Sequence, residues 1–185
     1  MKLNIQKRSA EKVGNVNSLR REGFIPAVFY SKSRPSENVS VAKSEFDAFM
    51  RQLKPGRLAT TKLTLITDGK ERQAIIKDIQ YDVTTYDVIH LDFEELESKS
   101  KVRVNIPIEC IGMADCAGIK LGGVLRQVIR SLRVECLPNK MPEFFNLNVA
   151  NLSMRESMRL RDIALPEGVR AIADLDEVVA VIVKR

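Results

Sequence analysis

The stretch Leu19-Arg-Arg-Glu-Gly-Phe-Ile-Pro-Ala-Val-Phe-Tyr30 decides how the first half of the chain folds. Arg20 and Arg21 are adjacent cations at the end of a short apolar-periodic run, residues 15–22, whose apolar positions are Val16 and Leu19. Gly23 permits a sharp turn, and Pro26 disfavours helix at Ile25. Residues 27–30 are then short, apolar and aromatic, as a buried strand should be. The spacing predicts a short basic helix leading directly into a strand. That geometry holds positive charge on a rigid edge and suits a polyanion. Two surface arginines beside a strand are also commonplace, and on these residues alone the two readings stand level.

Upstream, Leu3 and Ile5 alternate with polar residues and predict a first strand. Downstream, a polar loop over 31–37 precedes a strand over 38–42. The clearest helix spans 44–53, where Phe46, Phe49, Met50 and Leu53 form one stripe at i, i+3, i+4 and i+7. Ser44 is placed to cap it, and Pro55-Gly56 to stop it. Two β runs, 61–67 and 70–80, flank Asp68-Gly69, a two-residue hairpin turn whose positions need positive φ. A loop over 81–86 leads to a strand over 88–93. These elements make a largely antiparallel sheet or small barrel of five or six strands with two helices.

Residues 94–101 are polar and apolar-poor, as an inter-domain linker should be, and the boundary is placed there: one domain over 1–96, a second over 97–185. The second opens with strict alternation, Val102, Val104, Ile106, Ile108 and Cys110 sharing one face, while Pro107 on the opposite phase favours an edge strand. Residues 112–123, with four glycines, are expected to be a loop. Residues 124–137 fit helix or strand. Residues 145–149 alternate again, Ser153 and Glu156 have capping-box spacing, and the β-branched run 178–183 closes the chain as a strand. The fold class is therefore mainly β with a few helices, in two domains.

Charge is unevenly placed along the 185 residues, whose formal net charge is +6. Residues 1–57 hold 12 Lys and Arg against 5 Asp and Glu, residues 58–97 hold 4 against 9, and residues 98–185 hold 14 against 10. The densest positive field thus lies in the N-terminal segment, where a nucleic-acid backbone is expected to sit. The first eight residues have no apolar core of signal-peptide type. The longest apolar run, 178–183, is far short of a membrane span. Cys110, Cys116 and Cys136 are odd in number and lack CxxC spacing, which predicts buried thiols in a reducing cytoplasm, with neither disulfides nor a zinc site.

His90 is the sole histidine. On a strand it shares a face with Asp92, but no nucleophile frame of the G-x-S-x-G kind accompanies the pair, so catalysis is not expected. The glycines of 112–123 match neither GxxxxGK[ST] nor GxGxxG, so no nucleotide cofactor or small-molecule substrate is expected. Strict alternation from Lys77 puts Lys77, Ile79 and Tyr81 on one face and Asp78 and Gln80 on the other. Beside His90 and Asp92, such residues offer amide, imidazole and ammonium contacts to double-helical RNA, which is read by shape, phosphates and 2′-OH groups across its wide minor groove. Arg126, Arg130 and Arg133 form a run that reads as a solvated face or a secondary basic patch.

Leu19 to Tyr30, Ile76-Lys-Asp-Ile-Gln80 and His90-Leu-Asp-Phe93, in that order, closely resemble the bacterial large-subunit ribosomal protein family that binds 5S ribosomal RNA. Gly118-Ile-Lys-Leu-Gly-Gly-Val-Leu125, Leu137-Pro and Leu165-Pro-Glu-Gly168 are similar to the C-terminal domain of its two-domain form, the general stress protein Ctc type. The resemblance spans nearly the whole chain. It implies an N-terminal β-barrel with helices that docks on an internal loop of 5S rRNA, a C-terminal β domain, and a cytoplasmic ribosomal location among neighbouring ribosomal proteins. By position it implies Arg8, Arg20, Tyr30, Lys77, Gln80, His90 and Asp92 as RNA contacts, with Lys12 and Arg21 as weaker additions. Asn17 and Ser18 stand where the family has arginines, Ser31 where glycine is usual, and Tyr81 where a basic residue is common. Two other roles fit parts of this reading. One is a tRNA-recognition module, since the anticodon-binding part of glutaminyl-tRNA synthetase is similar in fold. The other is a stress-induced adaptor that binds protein through the second domain.

Overall fold

The computed structural model describes residues 2–8, 15–67, 69–98 and 100–184. The chain divides into two compact units, Met1–Ser100 and Lys101–Arg185.

In the first unit, β1 (Lys2–Lys7), β2 (Phe24–Tyr30), β3 (Glu37–Ala42), β4 (Leu63–Thr67), β5 (Lys70–Tyr81) and β6 (Val88–Glu95) close into a barrel in the order β1-β3-β2-β6-β5-β4. Two of the pairings are parallel, β1 with β4 and β2 with β6; the other four are antiparallel. Alternate residues point inward, and Leu3, Ile5, Ile25, Ala27, Phe29, Val39, Val41, Leu65, Leu91 and Phe93 fill the interior. β6 runs on through Glu94 and Glu95, so these two belong to the barrel and not to a linker. The β4–β5 hairpin pairs Thr67 with Lys70, and Gly69 takes φ +75°, the left-handed region such a turn needs.

Helix α1 (Asn15–Arg21) ends at Gly23, whose φ of +85° turns the chain into β2. Helix α2 (Lys43–Gln52) leaves β3 without a gap and covers one end of the barrel, its Phe46 and Phe49 rings 6.0 Å apart and buried. The expected Ser44 cap is not formed. Ala42 holds the cap position, no side chain caps the helix, and Lys43 N–H donates instead to Gly23 O at 2.8 Å. The strand already fixes where the helix begins.

The opposite end of the barrel is closed by charge. Arg72 Nη1 lies 3.0 Å from Glu37 Oε1, and its guanidinium sits 5.4 Å from the Phe29 ring centroid. Lys7 adds a second cation 3.6 Å from Glu37. The hydrogen bond from Arg72 holds the Glu37 carboxyl below its ordinary value of 4.5, with the charges of Arg72 and Lys7 adding to it against the cost of burial. A carboxyl depressed on folding contributes stability that is present above its unfolded pKa and lost as pH falls through the folded one. Glu37→Gln is therefore expected to lose about 1 kcal/mol at neutral pH, and to flatten the decline in stability between about pH 6 and about pH 3. Urea midpoints across that range test it; parallel declines in the two proteins would exclude Glu37 as a source of acid lability.

The second unit holds two sheets. β7 (Val102–Ile111), β9 (Ser131–Cys136), β10 (Phe145–Asn148) and β12 (Val169–Ala171) form one, ordered β10-β7-β9-β12; β8 (Gly123–Gln127), β11 (Ser157–Arg159) and β13 (Val178–Lys184) form the other, ordered β11-β13-β8. The alternation of β7 holds, with Val102, Val104, Ile106 and Ile108 buried. β7 is an inner strand, however, not an edge. Pro107 is tolerated because β7 changes partner there, pairing with β9 up to Pro107 and with β10 from Ile108. The expected loop over 112–123 contains one helical turn, α3 (Ala117–Lys120). The ambiguous 124–137 resolves into β8 and β9, with the Gln127 amide pinning the turn between them by donating to Ile108 O and Ile129 O. Glu156 accepts the Ser153 N–H at 2.7 Å, as in a capping box, but a strand comes next instead of a helix.

Candidate nucleic-acid interface

β2, β6 and β5 lie side by side, and their outward residues make one face. Two β-bulges shape it. The β5–β6 ladder pairs Ile76 with Phe93 and then Asp78 with Asp92, skipping Lys77; further on it pairs Gln80 with His90 and then Tyr81 with Val88, skipping Ile89. A bulge adds a residue on one strand and re-aims the side chains beyond it.

The first bulge overturns the expected facing of β5. Ile76 and Ile79 both pack on the barrel core, three residues apart. Lys77, expected opposite Gln80, instead reaches Glu94, Nζ to Oε2 2.9 Å, on the side where Gln80 faces His90. The second bulge takes Ile89 out of the ladder register. Its carbonyl accepts a hydrogen bond from Arg20 Nη2 at 3.0 Å, and Arg20 Nη1 also donates to Asn17 Oδ1 at 3.3 Å. Helix α1 is thereby tied to β6 beside His90. Asn17 and Ser18, standing where the resembling family has arginines, are engaged locally, Ser18 Oγ donating to Glu22 at 2.9 Å.

His90 and Asp92 share the face as expected, Nδ1 to Oδ1 2.8 Å. With Nδ1 engaged by Asp92, Nε2 is the ring nitrogen left for a further hydrogen bond. Asp92 in turn lies between Val28 of β2 and Asp78 of β5. Val28 pairs with Asn38, whose carbonyl accepts the Arg8 N–H at 3.0 Å. One row thus crosses four strands from Asn38 to Asp78, with Arg8, just past the end of β1, bonded to its first member. The Arg8 Nε is buried without a hydrogen-bond partner among the described residues. Tyr30 pairs with Glu94; burial first, then the charges of Glu94, Asp92 and Asp78, raise its phenol above the ordinary 10.0 and keep it a neutral O–H donor. Arg21 is exposed at the end of α1. Lys12 lies outside the described residues.

The structure therefore brings together Arg20, Tyr30, Lys77, Gln80, His90 and Asp92, with Arg8 across the barrel and Arg21 at the margin. The centre of the face is not simply basic: Asp78, Asp92 and Glu94 lie among the cations. Residues 1–100 carry 17 Lys and Arg against 14 Asp and Glu, and residues 101–185 carry 13 against 10, so both units have the same net charge of +3. The positive density of the N-terminal segment is balanced within its own unit by β6, with Asp92, Glu94 and Glu95, and by Asp82, Asp87 and Glu97 on either side of it.

Next to Gln80 and His90 the loop after β5 is rigidly built. The Asp82 carboxylate accepts the N–H groups of Thr84 and Thr85, its N–H donates to Asp87 O at 2.8 Å, and Asp87 pairs with Lys43 at 2.7 Å. These bonds hold Tyr86 at φ +58°, rare for a bulky residue, and present it and Val83 to solvent, 79% and 91% exposed. The sequence does carry a signal for this loop: Asp82-x-Thr84-Thr85 is an Asx-turn pattern.

Among the described residues no group of three or more His, Cys, Asp and Glu is placed to hold a metal, and no helix is long and apolar enough to cross a membrane. None of the three cysteines is in a disulfide; Cys116 and Cys136 are buried and Cys110 is half-buried, and burial pushes the Cys110 thiol up.

Residues 3–93 match the Ribosomal L25p family, and residues 101–185 match the C-terminal domain of ribosomal protein TL5. Over all 185 residues of both chains, the sequence is 46% identical to the large ribosomal subunit protein bL25 of Chlamydia trachomatis serovar D and to that of Chlamydia muridarum. It is 42% identical, at the same full coverage, to the protein of that name from Chlamydia pneumoniae. With matches to both domains and relatives aligned end to end, the chain belongs to the bL25 family of large ribosomal subunit proteins, in its two-domain form.

Proposed function

We propose that the chain binds 5S rRNA through the β2–β6–β5 face and helix α1, and so helps hold that RNA in the large subunit. Family membership makes it a structural, non-enzymatic ribosomal constituent with a ribosomal, cytoplasmic location. The observation that carries the finer reading is the pair of bulges, which gather Lys77 and the Arg20 anchor onto the face that already presents Gln80, His90 and Asp92. Such a face suits the wide, shallow minor groove of an RNA duplex. Arg8, Arg20 and Arg21, with Lys12 and Lys77, supply phosphate contacts. Gln80, His90 Nε2, the Tyr30 O–H and Asp92 supply donors and acceptors for 2′-OH groups and base edges. The central carboxylates penalise a phosphate placed in mid-face and favour one seated along the cationic margins.

A filter-binding salt titration with 5S rRNA, against an unrelated structured RNA of equal length, tests the reading. The expected result is a preference for 5S rRNA, with log K falling by about 0.7–0.9 per phosphate neutralised on each tenfold rise in salt. Equal binding of the two RNAs would overturn it.

A further inference from the structure

The second unit offers a surface that the N-terminal reading does not use. Sheet β10-β7-β9-β12 buries one face through Val104, Ile106, Leu132 and Val134. Its other face is open. Register places Glu135 of β9 between Arg103 of β7 and Arg170 of β12, and one step along places Arg133 opposite Asn105. Arg103 Nε lies 3.3 Å from Glu135 Oε1. Arg133 and Arg170 are exposed, and neither makes an ion pair among the described residues. The sequence run of Arg126, Arg130 and Arg133 is not the patch it resembled: Arg126 lies on β8 in the other sheet, and Arg130 precedes β9. The basic surface instead gathers arginines from three strands, 103, 133 and 170, that no linear scan groups together.

We propose that this open sheet face, carrying Arg103, Arg133 and Arg170, is a second phosphodiester-binding surface, for large-subunit rRNA outside 5S rRNA. Neighbouring strands are about 4.8 Å apart, so Arg103 and Arg170, two strands apart, span about 10 Å of sheet. Guanidinium forks match phosphate oxygens in pairs and tolerate a flat surface. An acidic protein partner fits less well, because protein interfaces are anchored by buried aromatic residues and this face carries none. Glu135 gives the face polarity: it orients Arg103 and leaves Arg133 and Arg170 as the cations with no carboxylate to displace. The proposal does not depend on the 5S rRNA reading, since it concerns a different unit and a different RNA.

The test uses the full chain and, as probe, large-subunit rRNA freed of 5S rRNA. Filter binding across a salt series compares wild type with R133E/R170E, R133Q/R170Q and R133K/R170K. R133E/R170E is expected to bind at least about tenfold more weakly at about 0.1 M salt. The salt slope should be shallower by about 1.4–1.8, two phosphates' worth, in R133Q/R170Q and unchanged in R133K/R170K. Binding to isolated 5S rRNA should be unaltered in all three. An unchanged affinity and slope in R133E/R170E would overturn the proposal. So would a loss in R133E/R170E that tracks a lowered melting temperature and is absent from R133Q/R170Q. Competition by poly-glutamate as effective as that by RNA would also overturn it, in favour of an acidic protein partner.

Discussion

Arg20→Ala is expected to lower the affinity of the full chain for 5S rRNA by about tenfold to a hundredfold, the equivalent of roughly 1.5–3 kcal/mol for a charge-assisted hydrogen bond. The size of the effect comes from where Arg20 is held. Its guanidinium donates to the bulged Ile89 carbonyl and to Asn17 Oδ1, so the fork is fixed before RNA arrives and little side-chain freedom is lost on binding. Truncation removes the cation and also the tie between α1 and β6. Arg20→Lys separates the two contributions. A lysine keeps the charge and the salt slope but lacks the planar fork, so it should recover only part of the affinity. Thermal melts of both variants report on the fold. If Arg20→Ala binds as wild type does, α1 is not part of the interface; if affinity and melting temperature fall together, Arg20 acts by holding the barrel face in shape.

Gly123→Ala should unfold the second unit at a temperature lower by roughly 5–20 °C, through about 1–3 kcal/mol of overpacking. A β-carbon at residue 123 would lie 2.7 Å from the Gly118 carbonyl oxygen, 2.6 Å from Ile182 Cγ2 and 2.8 Å from Met154 Sδ. The first of these is backbone and cannot rotate away. Gly118 is confined in the same manner, its added β-carbon 2.7 Å from Ile182 Cδ1 and 3.0 Å from the Ser153 backbone. The two glycines let α3 and β8 close on the strand that carries Ile182. Calorimetry of the full chain resolves the effect, and 5S rRNA binding by the first unit should persist at temperatures below its own transition. A second-unit transition at the wild-type temperature would mean that the backbone there yields more than its packing indicates.

Much of the architecture was legible because its signals are local. The stripe Phe46, Phe49, Met50 and Leu53 marked α2. Gly23 and Pro26 marked the passage from α1 to β2, and the Asp-Gly pair marked the β4–β5 hairpin. The features that could not be read depend on residues distant in sequence. The parallel pairings that close the barrel join Lys2 to Thr64 and Ala27 to Leu91, and no periodicity encodes such partners. Bulges are equally silent: nothing in Ile76-Lys77-Asp78 signals that Lys77 drops out of register, so strict alternation put Lys77 on the wrong side. His90 and Asp92 escaped that error because no bulge falls between them. In the second unit, the helical alternative for residues 124–137 lost to strand pairing, and Arg133, Arg103 and Arg170 met only through the sheet.

The chain has no tryptophan and three tyrosines, and all three, Tyr30, Tyr81 and Tyr86, belong to the first unit. They mark three settings: Tyr30 in mid-face beside carboxylates, Tyr81 at the end of β5, and Tyr86 held out on the Asx-turned loop. Ultraviolet excitation therefore produces tyrosine emission with no indole to drain it by energy transfer, and all of it originates in the barrel and its hairpin. The distribution of one residue type thus makes the unmodified protein an optical reporter of the surroundings of its first unit.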